Sequence, residues 1–369
     1  MNDLRTGLSY GDVLLVPKRS AVDSRDETDL STTLTPSVEL ATPLVSAAMD
    51  TVTEAELAIE LGRAGGLGVI HRFLTTDEQA EHVARVTATA EPVGAALGID
   101  EDYVARAAAV VEAGVDVLVV DVAHGHLERT LTAVETLATE FPDTDLVAGN
   151  VATPAGVEDL AAAGADCVKV GIGPGSHCTT RKVAGAGVPQ LTAVSDCATA
   201  AEEVGVTICA DGGIRTSGDA VKALMAGADT VMLGSLFAGT QEAPGAVVEL
   251  DGTRYKRSRG MATTAAANER DDKANDVTAD EGVEALTPYK GPVADVVEEF
   301  CAGIRSGLSY CGGHTIRDAR ERAEFIRVAP SAKEREGFHA DHDWEGVSVD
   351  SEVTRVRGDD LDTAVESDD

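Results

Sequence analysis

A (β/α)8 barrel is the fold class this sequence predicts, and three observations predict it. Short apolar runs alternate with amphipathic helical stretches, and the pattern repeats eight times. The runs are almost continuous in Val, Ile, Leu and Ala, as strands buried on both faces of a parallel sheet must be. No GxGxxG turn follows the first run, which counts against a doubly wound dinucleotide-binding sheet.

The strands are expected, in order, at 43–50 (PLVSAAMD), 66–71 (GLGVIH), 93–98 (VGAALG), 115–125 (VDVLVVDVAHG), 145–153 (DLVAGNVAT), 167–173 (CVKVGIG), 206–213 (VTICADGG) and 229–235 (DTVMLGS). Most end in glycine, aspartate or serine, residues that stop an extended run. Between them lie stretches such as DYVARAAAVVEAG and SGDAVKALMAG, apolar at the spacing of one helix face. The barrel is expected over 1–330, with the segment 262–290 included. The acidic remainder, 331–369, has little apolar periodicity and reads as a disordered tail.

Of the 369 residues 43% are hydrophobic, enough for a substantial core. The 64 Asp+Glu against 30 Lys+Arg give a formal net charge of −34, which repels phosphates and so excludes nucleic acid and anionic membranes as partners. A surface of that sign suits solvation at high salt, and the source reads as halophilic. No run of about 18 apolar residues exists and no signal-peptide pattern opens the chain, so a cytoplasmic location is expected. The six cysteines show no CxxC spacing, and neither a zinc site nor a disulfide frame is indicated. Cys167 and Cys209 lie in apolar strands and read as inert core residues.

Barrel chemistry sits at the C-terminal ends of the strands, and the polar residues of this chain gather there: Ser46 and Asp50, Asp121 and His124, Asn150, the Cys178 loop, Asp211, and Gly234-Ser235. Positions 171 to 180 read GIGPGSHCTT. Gly171, Gly173 and Gly175 let the backbone turn its N–H groups toward an anion, and Ser176 adds a hydroxyl. The thiolate is the reactive form of cysteine, so Cys178 among those dipoles is placed as a nucleophile. Plainer readings stand beside each motif. His124 and His126 read more simply as loop polar groups than as a metal pair, Asp211-Gly212-Gly213 as a turn, and Gly234-Ser235 as a helix cap.

Taken together, the segments LSYGDVLLVP, PLVSAAMDTVTEA, GGLGVIHR, VDVAHGH, VAGNVAT, GIGPGSHCTTR, ADGGIRTSGD, VMLGSLFAGT, RGM, PYKGPV and GIRSGLSYCGG resemble the IMP dehydrogenase and GMP reductase family of purine nucleotide oxidoreductases over about 4–330. The resemblance implies that Cys178 attacks C2 of a purine mononucleotide, GMP or IMP. It implies that Ser46, Met49, Ser176, Asp211, Gly213, Gly234, Ser235, Gly260 and Met261 bind that nucleotide: Ser176, Gly213, Gly234 and Ser235 at the phosphate, Asp211 at the ribose, Met49, Gly260 and Met261 at the base. Asp121, His124 and Gly125 would meet the nicotinamide cofactor, NADPH/NADP or NAD. Carbonyls of Gly171, Gly173 and Cys178 would hold a potassium ion. A homotetramer is implied as well.

Within the family the flap points to GMP reductase. Dehydrogenases resemble one another in supplying an Arg-Tyr pair on a long flap after RGM to activate water. Here 262–280 reads ATTAAANERDDKANDVTAD, short and without that pair, and Arg270 precedes Asp271. Thr180 and Glu281 are what ammonia departure needs, a hydroxyl and a carboxylic acid that relay a proton. The paired CBS-type regulatory module found after the second strand of most dehydrogenases is also missing. AHGH, SAAMD, DGGIRTSGD and GIRSGLSYCGG look more like dehydrogenases, which keeps IMP dehydrogenase as the alternative, with a nucleotide-binding homologue without turnover behind it. A further departure is Ser258, where a phosphate-binding tyrosine is usual.

Overall fold

A computed structural model describes residues 4–100, 102–176, 178–260 and 284–332. Two compact units divide the chain, Met1–Arg327 and Val328–Asp369, and of the second only 328–332 are described. Met261, Arg270 and Glu281, most of the flap and nearly all of the acidic tail therefore lie outside the described residues.

Eight parallel strands close the barrel: β1 (Leu44–Ser46), β2 (Leu67–Ile70), β3 (Val93–Leu97), β4 (Val117–Asp121), β5 (Asp145–Val151), β6 (Cys167–Val170), β7 (Thr207–Asp211) and β8 (Thr230–Leu233). Closure is made by β8 against β1, with Leu233 opposite Ser46. Each strand is followed by a helix, from α1 (Ala55–Arg63), α2 (Thr76–Thr87), α3 (Tyr103–Glu112), α4 (Glu128–Glu140) and α5 (Pro154–Ala162) to α6 (Gln190–Val204), α7 (Ser217–Met225) and α8 (Val293–Cys311). Capping boxes start α2 at Thr75/Glu78 and α7 at Thr216/Asp219, each satisfying amide donors that a helix leaves open.

The strands are shorter than the apolar runs. Gly173, Gly212 and Gly213 lie past the ends of β6 and β7 with φ of +79°, +90° and +78°, a region no strand uses. What reads as strand end is rim loop.

Alternation along the strands divides the core in two. Val45, Leu67, Val69, Ala96, Val117, Val119, Val147, Cys167, Cys209 and Met232 fill the barrel, and the hairpin Thr32–Thr35/Val38–Leu40 closes it with Leu34, Val38 and Leu40. Their neighbours one residue along, such as Leu118, Val168 and Ile208, pack outward under the helices. Continuing the inward phase past Val119, Cys167 and Cys209 brings Asp121, Lys169 and Asp211 into one layer at the rim.

The sequence reading contains neither that hairpin nor two further elements. Val13–Leu15 pairs with Phe325–Arg327, and an antiparallel sheet of β9 (Val247–Leu250), β10 (Thr253–Arg259) and β11 (Glu284–Pro288) stands between β8 and α8. It carries the root of the flap. Among the described residues no helix is long and apolar enough to cross a membrane.

Candidate active site

Of the six cysteines, Cys178 alone is not buried. Burial pushes the thiols of Cys197 and Cys209 up to about 12 and that of Cys301 to about 11, which leaves them inert. The Cys178 amide donates to the Gly175 carbonyl at 3.1 Å, and its Sγ lies 3.2 Å from Thr180 Oγ1 at the start of the helical turn Thr180–Val183. Arg181 stiffens the loop from within: its guanidinium donates to the Val188 carbonyl at 2.6 Å, and its stem fills the space left by side-chain-free Gly173 and Gly187.

The β6 and β7 loops touch through glycine. A Cβ on Gly171 would stand 2.0 Å from the Asp211 carbonyl oxygen, and one on Gly212 would meet the Gly175 amide nitrogen at 3.1 Å. Gln190 ties the same two segments, donating to the Val170 carbonyl at 2.7 Å and the Asp211 carbonyl at 3.1 Å. Ser176 is exposed two residues past Pro174, which packs against Gly212 and Gly213. At the end of the adjacent strand β8 the amides of Phe237 and Ala238 donate to the Gly234 carbonyl, winding the chain into a turn at Gly234-Ser235. The missing Cβ of Gly234 leaves room for Met49, whose sulfur is 3.1 Å from where it would be.

One residue in this layer escaped the sequence reading. Lys169 is buried, with 2% of its side chain exposed, and its ammonium lies 2.8 Å from Asp121 Oδ1 and 2.7 Å from Asp211 Oδ2 while also donating to Asn150 Oδ1. Asn150 Nδ2 donates to Asp211 Oδ2 and to the Gly171 carbonyl, each at 2.8 Å. Burial alone would raise the Asp121 carboxyl, but the Lys169 ammonium overrides it and holds it below the usual carboxylate range. Burial likewise works against the Lys169 charge, and the two carboxylates reverse that, holding the ammonium above its usual value. A lysine inside CVKV was the available signal, since a buried charge in an apolar strand needs partners.

Ser46 and Ser258 are both buried. Ser46 is fully buried beneath the cleft, where the Thr53 hydroxyl lies 2.7 Å from both its Oγ and the Ala47 carbonyl, so it supports the loop that carries Met49 instead of facing a ligand. Ser258, 1% exposed, pairs its hydroxyl with Thr287 at 2.8 Å across β10 and β11. Its neighbour Arg259 is bound by both Nε and Nη2 to Asp50, which anchors the chain entering Gly260 against the end of the β1 loop. His126 pairs with Asp159 at 2.7 Å while His124 is exposed, so the two histidines form no joint site. Gly125 is buried where a Cβ would press on the Gly149–Asn150 backbone at 2.8 to 3.0 Å. It keeps the β4 loop close to Asn150.

The described residues contain one cluster with metal-type ligands, Glu54, Glu56 and His82. His82 Nδ1 accepts from the Ala55 amide at 3.2 Å, so that ring nitrogen is already engaged within the chain. Of the three carbonyls expected at potassium, that of Gly171 accepts from Asn150 Nδ2 at 2.8 Å and keeps its second lone pair.

Residues 7–339 match the family model described as "IMP dehydrogenase / GMP reductase domain". Proteins named inosine-5'-monophosphate dehydrogenase are similar through nearly their whole length. That of Nitrosopumilus maritimus is 38% identical over 461 aligned positions, covering 89% of this chain and 97% of the relative. Those of Aquifex aeolicus and Staphylococcus aureus are 38% and 36% identical, covering 88% and 89% of this chain and 94% of each relative. An alignment of 461 positions exceeds this 369-residue chain, so the relative contains residues with no counterpart here.

Proposed function

This chain belongs to the IMP dehydrogenase / GMP reductase family, and we propose that within it the protein acts as an IMP dehydrogenase that forms a covalent adduct through Cys178. The observation that carries this choice over the reductase is the whole-length similarity to relatives of that name. It reverses the expectation drawn from the flap.

In this reading the Cys178 thiolate bonds to C2 of IMP and the hydride on C2 departs. Bound NAD+ supplies the hydride acceptor. The adduct keeps a C2=N bond; water adds at C2, the C2–S bond breaks, and XMP leaves with the thiolate restored. Thr180, 3.2 Å from the sulfur, orients the thiol and takes part in its proton exchange. Asp211, aimed by Lys169 and Asn150, accepts from the ribose hydroxyls, and Ser176, Gly213, Gly234 and Ser235 hold the phosphate. Met49, Gly260 and Met261 flank the base. Asp121 is held ionised and is 29% exposed, which fits an acceptor for the cofactor ribose, with Gly125 and His124 beside it.

One observation favours the second reading, GMP reduction with NADPH and loss of ammonia: 262–280 carries no Arg-Tyr pair to activate water. Parallel assays in potassium-rich, high-salt buffer separate the two. A dehydrogenase makes XMP from IMP and NAD+ over many turnovers, faster than it consumes NADPH with GMP, and Arg270→Ala then turns steady production into a single burst of NADH. A stoichiometric burst in the unaltered protein, with rapid GMP reduction, makes it a reductase.

A further inference from the structure

We propose that Lys169 is a positioning residue that couples the two halves of the site, so that nucleotide and nicotinamide cofactor bind cooperatively through one buried ammonium. The proposal rests on the reading that Asp211 takes the nucleotide ribose and Asp121 the cofactor.

An ammonium has three protons, and Lys169 has three acceptors: Asp121 Oδ1, Asp211 Oδ2 and Asn150 Oδ1. All its donors are committed, so it cannot re-aim toward one partner without releasing another. The carboxylates are open to the cleft, with 29% of the Asp121 and 22% of the Asp211 side chain exposed, whereas Lys169 at 2% touches no ligand. Whatever it does to binding, it does through them. Its opposite neighbour in β5 is Gly149, which precedes Asn150, and a Cβ there would stand 2.4 Å from the Lys169 carbonyl, so the backbone under the cluster is close-packed as well.

The physical consequence follows from ordering. A ribose diol donating into Asp211 fixes that carboxylate, and with it Lys169 and Asn150. Asp121, which shares the same ammonium, is then already oriented when the second ligand arrives. Less ordering remains to oppose that second binding event, and by linkage the effect is reciprocal. A lysine with only a structural role would change both affinities and leave their dependence on each other untouched.

The test uses the full chain carrying Cys178→Ala, which cannot turn over. IMP is titrated calorimetrically with and without saturating NAD+, and the ratio of the two dissociation constants is the coupling factor. Tightening by about five-fold or more is expected, the low end of known couplings. Lys169→Arg, which keeps the charge but spreads its donors over a planar fork, should bring the factor to within about two-fold of unity while thermal unfolding shows a folded protein. Asn150→Ala serves as the second variant, removing one acceptor of the ammonium without replacing either ligand carboxylate, and should do the same. A factor near unity in the parent, or one unchanged in both variants, overturns the proposal. Failure of the parent to bind IMP at all overturns instead the assignment of the site on which it stands.

Discussion

The Sγ of Cys178 stands 3.2 Å from the Oγ1 of Thr180, the first residue of a single helical turn, and this contact ties the half-buried thiol to a hydroxyl two residues along the chain. The loop before it is held by Arg181, Gln190 and Asn150, so the sulfur is presented on a braced backbone.

Cys178→Ala should abolish turnover and leave nucleotide binding within about two-fold, because all the residues assigned to phosphate and ribose except Ser176 lie on other loops, and the Ser176 side chain is left in place. Steady-state rates and equilibrium titration check this together. A variant retaining a sizeable fraction of its rate would sink covalent catalysis at this position.

Stability should fall on the acid side through the Asp121 carboxyl. Its folded value is depressed, so its contribution is present above the ordinary aspartate value of about 4 and is lost as pH falls through the folded one. Lys169 works in the opposite sense: its raised value gives a contribution present below about 10 and lost as pH rises through the folded value. Asp116, Asp166 and Asp229 are raised by burial and partly offset the acid limb, so the readout is a difference. Urea midpoints measured against pH should fall less steeply below pH 4 in Asp121→Asn than in the parent. Superimposable acid limbs would refute this.

Ser258→Ala should cost about 1–3 kcal/mol, since it orphans the buried Thr287 hydroxyl 2.8 Å away. The nucleotide KM should stay unchanged, for the serine is turned into the β10–β11 sheet. A large KM rise without loss of stability would instead place Ser258 at the phosphate.

Gly171→Ala should be among the most damaging small substitutions in the barrel. Its new methyl would stand 2.0 Å from the Asp211 carbonyl oxygen, a backbone atom that cannot swing away. Destabilisation of about 3 kcal/mol, the upper range for overpacking, and a fall in turnover are expected from thermal unfolding and rate measurements. Activity and melting temperature equal to the parent's would show that β6 and β7 approach less closely.

By itself the sequence determined the barrel, its eight strands in order and the family, and it singled out Cys178 as the candidate nucleophile. Those features are local: an apolar run, a glycine spacing or a CTT triplet lies within ten residues, and its physical meaning does not depend on what packs against it. Strand ends were overrun because Gly173, Gly212 and Gly213 continue a glycine-rich run in letters while their positive φ breaks it in space. Tertiary structure alone decided which polar groups meet. Lys169 joins Asp121 and Asp211 from positions 48 and 42 residues apart, Arg259 reaches Asp50 across the flap sheet, and Ser46 and Ser258 spend their hydroxyls on Thr53 and Thr287. Charge compensation and hydrogen-bond satisfaction are pairwise and nonlocal. Only closure of the barrel, which sets the inward phase of β4, β6 and β7 in one layer, brings the partners within 3 Å.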